Sequence, residues 1–359
     1  MISSIGHKGV TSDLKPWHTI GNFIFCNKCG HSQKEICEEW IADAEKIYTN
    51  YESCPLGEGR EQLVFRDSGL KGARFSVLLD KLFEVVDIPA EGKILDIGCS
   101  CGRFLHRFSE RRPDWECYGY EYELRSDDVF ALHGVEKVYS GELSKIDKKF
   151  DLVVMTHVIE HLLEPVEILK SVYHLINETG WLFVQAPCFV SNPFDLVIRD
   201  HCSHFTTQSL KTVANLGGFS LIEIMDDWVP REIGFIARKD NSVLNQVVNN
   251  TGSGSIRSSL EFLSNLLDKV KSVSNGRPFG VLGASISGLW LAHSLDRDVD
   301  FFGDEDLARQ GDELMGIPIF SVDNIPTGST VVVPFSSLTA ESIVKRLKAR
   351  RQDIRFILP

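Results

Sequence analysis

A run of small residues between Asp96 and Gly102 has the composition of a ligand-binding turn. The apolar residues before it predict a buried strand that ends at Asp96. Gly98, Ser100 and Gly102 then allow the backbone to turn sharply into a helix. Such a turn presents main-chain N–H groups to whatever lies across the carboxyl end of the strand. The turn therefore predicts a binding site at this edge of a sheet, and a tight turn without a ligand is the alternative.

A second acidic residue strengthens that interpretation. Glu121 lies twenty-five residues after Asp96, directly after the apolar run 115–120. A carboxylate at the end of the second strand can accept hydrogen bonds from both hydroxyls of a ribose. On its own, Glu121 is equally typical of a solvated strand end. Together with the glycine-rich turn, it favours the binding of a nucleoside.

A polar segment after the fifth predicted strand carries residues suited to proton transfer. The ordinary pKa of a histidine suits proton removal near neutral pH, so we predict His201 as a general base. Asp200, directly before it, is a second candidate catalytic residue. Arg199 is typical either of a contact with a phosphate or carboxylate of the substrate or of a solvated loop.

His204 follows His201 after three residues, but no third ligand is evident, so this pair does not favour a metal site. His204 instead leads into Thr206 or Thr207, either of which can cap a helix that ends at Gly217. We therefore expect His204 to have a structural role.

Two cysteines near the start of the chain have the spacing of a zinc knuckle. Cys26 and Cys29 form a Cys-x-x-Cys pair, which can bind zinc through two thiolates. The sequence does not rank the residues that would complete such a site, which are His7, His18, His31, Cys37 and Cys54. Two interpretations stay open, a structural zinc site and a degenerate module without metal.

A second glycine-rich turn follows the apolar run 279–282. It spans Gly283 to Gly288, and Asp304 follows the next predicted strand about twenty residues later. The pattern is Gly-x-Ser-x-x-Gly, which falls short of the full dinucleotide fingerprint. It is therefore typical both of a nucleotide site and of a Rossmann-shaped domain without a ligand.

The elements that position these residues alternate along the chain. The 359 residues are enough for two or three domains, and 43% hydrophobic with 25% charged residues is ordinary for a globular protein. From about 70 to 240, short apolar runs alternate with amphipathic ones, as expected for strands and helices of a parallel α/β sheet. We predict four segments: a small cysteine-containing module over 1–65, a first α/β domain over 66–248, a linker and helix over 249–277, and a second Rossmann-like domain over 278–359.

Composition argues against several classes of partner. The formal net charge of −12 disfavours broad electrostatic contact with nucleic acid or an anionic membrane. No stretch approaches the ~18 uninterrupted apolar residues of a spanning helix, and the first thirty residues lack the apolar core of a secretory signal. Nine cysteines, mostly in apolar or motif settings, fit a reduced compartment. We expect a cytoplasmic protein whose partner is a small molecule, with no nucleic acid and no membrane.

The motifs from about 70 to 240 resemble those of the class I S-adenosylmethionine-dependent methyltransferases. Their first motif is similar to residues 96–102, and their fourth is similar to His157-Val-Ile-Glu-His161. The resemblance implies a Rossmann-like seven-stranded methyltransferase sheet, with His157 at the mouth of the site. The cofactor-binding residues that it implies are Asp96, Gly98, Ser100 and Gly102 around the glycine-rich turn, Glu121 at the ribose and Glu142 near the adenine.

A narrower resemblance extends to residues 194–206. This segment is similar to that of the three-domain sugar C-methyltransferases of antibiotic deoxysugar pathways, which carry a zinc module, a methyltransferase domain and a C-terminal Rossmann-like domain. Their Tyr-His-Glu-His run corresponds here to Ile198, Arg199, Asp200 and His201, so that only the last histidine is identical. The resemblance implies a nucleotide-linked sugar as the acceptor, and the changed residues leave C- and O-methylation both open.

The leading hypothesis is methyl transfer from S-adenosyl-L-methionine to a small hydroxylated or keto acceptor. The acceptor would be a nucleotide-linked sugar or a related biosynthetic intermediate, with His201 as general base and His157 as a further catalytic candidate. Two alternatives stay open. One is an NAD-dependent oxidoreductase that uses the turn Gly283 to Gly288, and the other is a non-catalytic nucleotide-binding scaffold.

Overall fold

The protein consists of a small N-terminal module and two α/β units in the computed structural model described here. The described residues are 7–52, 61–66, 69–123, 134–244, 246–247, 253–273, 278–295 and 298–359. Within them, no helix is long and apolar enough to cross a membrane.

The N-terminal module is built from two short antiparallel strand pairs and one helix. Its elements are β1 (Gly9–Val10), β2 (Pro16–Trp17), β3 (Phe23–Phe25), β4 (Ser32–Lys34) and α1 (Glu38–Thr49). Helix α1 buries Trp40, Ala44 and Ile47, whose spacing of four and three residues places them on one face. The module therefore packs one apolar helical stripe against the rest of the chain.

The first α/β unit begins with a hairpin and continues with alternating strands and helices. Its elements are β5 (Leu63–Arg66), β6 (Gly69–Ala73), α2 (Arg74–Val85), β7 (Gly92–Ile97), α3 (Arg103–Arg111), β8 (Trp115–Glu121), β9 (Val135–Ser140), β10 (Phe150–Thr156), α4 (Pro165–Leu175), β11 (Ile176–Pro187), β12 (Ser203–His204), α5 (Thr207–Leu216), β13 (Phe219–Met225) and β14 (Glu232–Lys239).

Seven of these strands form one sheet in the order β13-β14-β11-β10-β7-β8-β9. Strands β7 to β11 pair in parallel, and β14 runs antiparallel to both of its neighbours. The strand order reverses between β7 and β10, because β7 pairs with β8 on one side and with β10 on the other. In an open α/β sheet, a ligand binds at such a reversal, beyond the carboxyl ends of the strands. The predicted α/β seven-stranded sheet is confirmed.

Buried apolar clusters cover both faces of this sheet, as a mostly parallel sheet requires. On one face α4 and α5 pack through residues such as Leu169 and Leu210. On the other face α2 and α3 pack through residues such as Leu78 and Phe108. The strand ends that carry the polar motifs are thereby held on a rigid frame.

The second α/β unit is a smaller Rossmann-like sheet preceded by a long helix. Its elements are α6 (Ser253–Lys271), β15 (Phe279–Leu282), α7 (Ile286–Ser294), β16 (Phe301–Asp304), β17 (Glu313–Leu314), β18 (Ile317–Ser321), β19 (Thr330–Val332), α8 (Ser337–Lys348) and β20 (Arg355–Ile357). The sheet order is β17-β18-β16-β15-β19-β20, and every pair except β17–β18 is parallel. The predicted second Rossmann-like unit is confirmed. Residues 249–252 of the predicted linker lie outside the described residues.

The N-terminal module joins the two α/β units. Val10 and Phe23 share one buried cluster with Leu196 of the first unit, Leu263 of α6 and Trp290 of α7. All five side chains are at most 1% exposed. The segment after β11 therefore lies between the module and the second unit.

Candidate functional site

The glycine-rich turn after β7 closes against the neighbouring strand. The main-chain N–H of Gly98 donates to the carbonyl of Tyr120 over 2.8 Å. Gly98, Ser100 and Gly102 have φ values of 74°, 49° and 68°, in the left-handed region that favours glycine. A Cβ on Gly98 would lie 2.3 Å from Cγ2 of Val158, so a side chain there would collide with the segment after β10. The backbone of the turn therefore packs directly against Val158 because Gly98 has no side chain.

Asp96 lies at the carboxyl end of β7 beneath this turn. Its side chain is 2% exposed, and its Oδ1 has no hydrogen-bond partner among the residues that the structure describes. Burial, together with the charge of Glu121, raises the pKa of Asp96 well above its ordinary value. A buried acceptor of this kind is unfavourable unless a further polar group reaches it.

Glu121 ends β8 and is joined directly to the turn. Its carboxylate accepts a hydrogen bond from the main-chain N–H of Ser100. Glu121 and the turn therefore form one continuous polar edge beside Asp96.

Glu142 follows β9 and lies on the surface. Its side chain is 67% exposed and pairs with Nζ of Lys145 over 3.0 Å. The contact with an adenine implied by the resemblance stays a prediction for this residue.

His157 follows β10 in a left-handed conformation with φ of 56°. Its Nδ1 lies 3.0 Å from Glu160 Oε1, and its Nε2 lies 3.1 Å from Glu232 Oε1. Burial alone would lower the pKa of His157, but the charge of Glu232 and the close contacts with both carboxylates raise it to about 9. At neutral pH, His157 is therefore a cation with both ring nitrogens engaged, although about a third of its side chain is exposed.

A buried arginine supports this arrangement from α2. Nε and Nη2 of Arg74 donate to the two oxygens of Glu232 over 3.2 and 2.9 Å, and Nη2 also donates to Gln185 Oε1 over 2.7 Å. Glu232 thus carries two cations, which lower its pKa to about 2 against the effect of burial. A bidentate pair of this kind fixes the carboxylate that holds His157.

His201 lies in a loop between a short 3₁₀ helix (Pro193–Val197) and β12, and it is only 4% exposed. Its Nδ1 lies 2.7 Å from Oδ1 of Asp195, and Nδ1 of His204 lies 2.6 Å from Oδ2 of the same carboxylate. Thr206 caps α5 through a capping box with Ser209, as the sequence predicted for one of the two threonines.

Glu160 and His161 approach His201 from the helical turn after β10. The rings of His161 and His201 are edge-to-face with centroids 4.6 Å apart. Glu160 is completely buried. One carboxylate oxygen of Glu160 and one ring nitrogen each of His161 and His201 lie within 4.8 Å of one another. His157, Glu160, His161 and His201 therefore form one polar group beyond the carboxyl end of β10, which we call the histidine cluster.

Asp200 contacts the N-terminal module. Its Oδ1 accepts a hydrogen bond from the main-chain N–H of Ser12 over 2.9 Å, and its Oδ2 accepts one from the hydroxyl of the same serine. Asp200 is completely buried, and its Oδ2 lies 3.5 Å from Nδ1 of His161. The carboxylate therefore lies between the module and the histidine cluster.

Arg199 turns away from solvent and into the N-terminal module. Its side chain is 4% exposed, and its Nε donates to Asp43 Oδ2 over 2.9 Å. Its main-chain carbonyl accepts a hydrogen bond from Trp40 Nε1 over 3.0 Å. The interpretation as a solvated loop arginine is wrong, because helix α1 covers this side chain; substrate binding stays a prediction.

Cys26 and Cys29 lie in the turn between β3 and β4. Among the described residues, no third metal-ligating side chain lies near both sulfurs, and Cys54 falls outside them. His31 is directed elsewhere: its ring packs on Phe205 at 5.2 Å, and its Nε2 lies 3.3 Å from Ser203 Oγ. Zinc at this position stays a prediction.

The second glycine-rich turn also meets an acidic residue. Asp304 Oδ2 accepts from the main-chain N–H of Ala284, and its Oδ1 accepts from that of Asp306, both over 2.8 Å. Nη1 of Arg309 lies 3.5 Å from the same carboxylate. These internal partners occupy both oxygens of the residue that would hold a ribose.

Sequence reasoning did not single out several of these residues. Apolar runs contain or adjoin Asp195, Glu160 and Arg74, and in that setting a single charged residue does not by itself indicate a functional role. One signal was available for Asp195, which precedes two histidines by six and nine residues in a single short segment. The contacts of Tyr48 and Ser12 had no comparable signal, because their partners are more than one hundred residues away.

Comparison with known proteins finds similarity in the central segment of the chain. Residues 71–224 match the family model Methyltransf_23, described as a methyltransferase domain. The match contains the glycine-rich turn, Glu121, the histidine cluster and Asp195.

Two curated relatives are similar to part of the chain. A tRNA U34 carboxymethyltransferase of Sulfurovum sp. (strain NBC37-1) is 27% identical over 159 residues, which are 38% of this chain and 50% of that protein. The C-methyltransferase NovU of Streptomyces niveus is 23% identical over 177 residues, or 46% of this chain and 42% of the relative. The chain thus spans about half the length of the curated relatives it matches.

A solved structure is also similar to part of the chain, at lower identity. An S-adenosylmethionine-dependent methyltransferase from Clostridium acetobutylicum is 10% identical, with a TM-score of 0.38 over 46% of this chain and 91% of that one. The family match and the strand order of the seven-stranded sheet point to the same segment. Residues 71–224, which are less than half of the chain, are therefore similar to a methyltransferase domain.

Proposed function

We propose that the protein transfers the methyl group of S-adenosylmethionine to a small hydroxylated or keto acceptor of the nucleotide-linked sugar class. The observation that carries this proposal is the position of a buried histidine cluster beyond β10, next to the glycine-rich turn and Glu121 on the neighbouring strands. Donor-binding and proton-accepting groups then lie along one edge of the sheet, where a donor and an acceptor can be aligned.

The residues at this edge fit the cofactor. Asp96 Oδ1 is a buried acceptor without a described partner, which suits the ammonium group of a methionine. Glu121 is placed to accept from ribose hydroxyls, and Gly98 leaves the turn free of a side chain. When bound, S-adenosylmethionine supplies a methyl group whose bond to sulfur breaks as a bond to an acceptor oxygen or carbon forms, leaving S-adenosylhomocysteine.

His201 is the group that we propose takes the acceptor proton. His157 is a poor candidate, because both of its ring nitrogens face carboxylates and its pKa of about 9 keeps it protonated at neutral pH. Among the residues that the structure describes, Asp195 is the hydrogen-bond partner of His201 and contacts Nδ1, so Nε2 can accept a proton. The ring of His161 lies beside that of His201 in an edge-to-face contact.

The relatives bear on the acceptor. NovU is named a C-methyltransferase, and other relatives are named tRNA carboxymethyltransferases. The net charge of −12 disfavours a tRNA acceptor, because phosphate backbones are bound through clustered Lys and Arg. A small acceptor therefore fits this chain better than an RNA.

The test compares wild-type protein with the variants His201→Ala and His106→Ala. His106 is a matched control, because it is about half exposed on α3. We expect His201→Ala to bind S-adenosylhomocysteine normally by calorimetry but to lose about 10²–10⁴ in turnover on a panel of nucleotide-linked keto-sugars. For a keto-sugar, wild-type protein without methyl donor should also exchange the proton α to the carbonyl with solvent deuterium.

Other outcomes would contradict the proposal. Near-normal turnover of His201→Ala would exclude His201 as the base. Methylation of tRNA but of no small acceptor would exclude the proposed substrate class. Tight binding of NAD that is lost in Asp304→Ala would favour the oxidoreductase, and failure to bind S-adenosylhomocysteine would favour the non-catalytic scaffold.

A further inference from the structure

Asp195 is a buried carboxylate shared by two histidines of its own loop. It is 1% exposed, and its two oxygens lie 2.7 Å from Nδ1 of His201 and 2.6 Å from Nδ1 of His204. Burial alone would raise the pKa of Asp195, but the two imidazoles hold it well below its ordinary value, so the group is ionised. An ionised carboxylate only accepts hydrogen bonds, and each Nδ1 must therefore carry the hydrogen.

The tautomer of His201 follows from this contact. A neutral imidazole has one N–H and one lone pair, so a hydrogen on Nδ1 leaves the lone pair on Nε2. His204 secures the carboxylate from the other side, since its ring is fully buried and packs 5.4 Å from the ring of Phe23. Asp195 is thus held between two rings and cannot swing away from His201.

We propose that Asp195 is a positioning residue, whose carboxylate fixes the ring orientation of His201 and the tautomer that makes Nε2 the basic atom. This inference rests on the proposed function only where it assigns Nε2 of His201 as the atom that takes the acceptor proton. The tautomer itself is a property of the protein without any acceptor.

Several charged groups face His201 and contribute to its titration. Asp195 and Asp200 lie on its own segment, and Glu160 and His161 face it from the helical turn after β10. Burial lowers the pKa of His201, while the hydrogen bond and charge of Asp195, with smaller effects of Glu160 and Asp200, raise it above its ordinary value. Removing the charge of Asp195 alone should therefore lower the pKa of His201.

The test is nitrogen NMR of the eleven histidines, labelled with ¹⁵N in the full chain, with the His201 signals identified from a His201→Asn variant. In wild-type protein above its titration midpoint, His201 should show a protonated Nδ1 and an unprotonated Nε2. In Asp195→Leu, which has a side chain of similar size but no acceptor, Nδ1 of His201 loses its partner, so the preference for the Nδ1–H form should be lost. The titration midpoint should fall by about one pH unit or more.

A second variant separates positioning from packing. His204→Asn alters the other partner of the same carboxylate but leaves the contact with His201, so the tautomer of His201 should stay as in wild type. Asp151→Asn is a distant control, because Asp151 also accepts two hydrogen bonds, from Lys93 N over 2.9 Å and Asn177 Nδ2 over 2.7 Å. Calorimetry with S-adenosylhomocysteine checks that each variant is folded.

The outcomes distinguish this inference from the proposed function. An Nε2–H tautomer in wild type, or an unchanged tautomer and midpoint in Asp195→Leu, would overturn the positioning role even if His201→Ala abolished turnover. Conversely, the expected tautomers together with full turnover of His201→Ala would leave Asp195 orienting His201 while removing His201 as the base.

Discussion

Tyr48 reaches from helix α1 into the histidine cluster, where its hydroxyl lies 2.9 Å from Nδ1 of His161. Burial raises the pKa of Tyr48 well above its ordinary value, so the hydroxyl stays protonated at any pH at which the enzyme would work. The N-terminal module is therefore in direct hydrogen-bond contact with the candidate site.

Replacing Tyr48 by Phe should weaken this contact without changing the shape of the side chain. We expect the free energy of unfolding to fall by about 1 kcal/mol, the usual net value of one hydrogen bond. Urea denaturation measures the change, with Tyr122→Phe as the control because Tyr122 is 77% exposed. Equal stability of Tyr48→Phe and wild type would show that the contact contributes nothing.

Glu121→Ala should weaken the binding of S-adenosylhomocysteine by about tenfold to a few hundredfold. The substitution removes an acceptor for two ribose hydroxyls, and each hydrogen bond contributes roughly 0.5–1.5 kcal/mol, with more when the acceptor is charged. Calorimetry measures the dissociation constant, and Glu136→Ala on the exposed side of β9 is the control. Unchanged affinity in Glu121→Ala would remove Glu121 from the cofactor site.

Arg199→Ala should destabilise the protein strongly, because it leaves Asp43 without its buried cation. Loss of one partner from a buried ion pair costs about 3–5 kcal/mol. The Arg199 and Asp43 side chains are 4% and 13% exposed, so solvent replaces little of that interaction. A double-mutant cycle with Asp43→Ala measures the coupling. A small loss of stability with a raised KM for the acceptor would instead support substrate binding by Arg199.

Two buried histidines predict a loss of stability in mild acid. Burial lowers the pKa values of His31 and His204 to about 4, below the ~6.5 of an unfolded histidine. The unfolded state then binds more protons between pH 6.5 and 4, and stability falls as the pH decreases through that range. Each histidine should cost on the order of 2 kcal/mol between pH 7 and pH 5. His31→Gln should reduce the pH dependence seen by urea denaturation, whereas the half-exposed His106→Gln should not.

Metal analysis tests the zinc prediction. Any zinc that the purified protein holds should be lost in the double variant Cys26→Ser, Cys29→Ser, with a lower Tm and an intact affinity for S-adenosylhomocysteine. About one zinc per chain in the wild type would require further ligands, with Cys54 available outside the described residues. If the wild type is metal-free and as stable as the double variant, the module is a degenerate one that binds no zinc.

The sequence predicted the strands that position the site better than it predicted the side-chain contacts within the site. The strands ending near Asp96, Glu121 and Thr156 were readable because each is an apolar run that stops at a polar or small residue. The roles of Asp195 and Arg199 were not, because they depend on which side chains the folded chain brings against them. Arg199 and Asp43 are separated by 156 residues, and no local periodicity encodes such a pairing.

The pairing of β4 with β12 places Ser32 opposite His204 and Gln33 opposite Ser203 in one antiparallel ladder. Lys34 extends the same contact, since its main-chain N–H donates to Cys202 O and its Nζ donates to Leu196 O. Without residues 7–52, these main-chain groups of the loop that carries His201 would consequently lose their hydrogen-bond partners. A chimaera in which residues 71–224 came from another protein would keep these contacts only if residues 7–52 were exchanged with them.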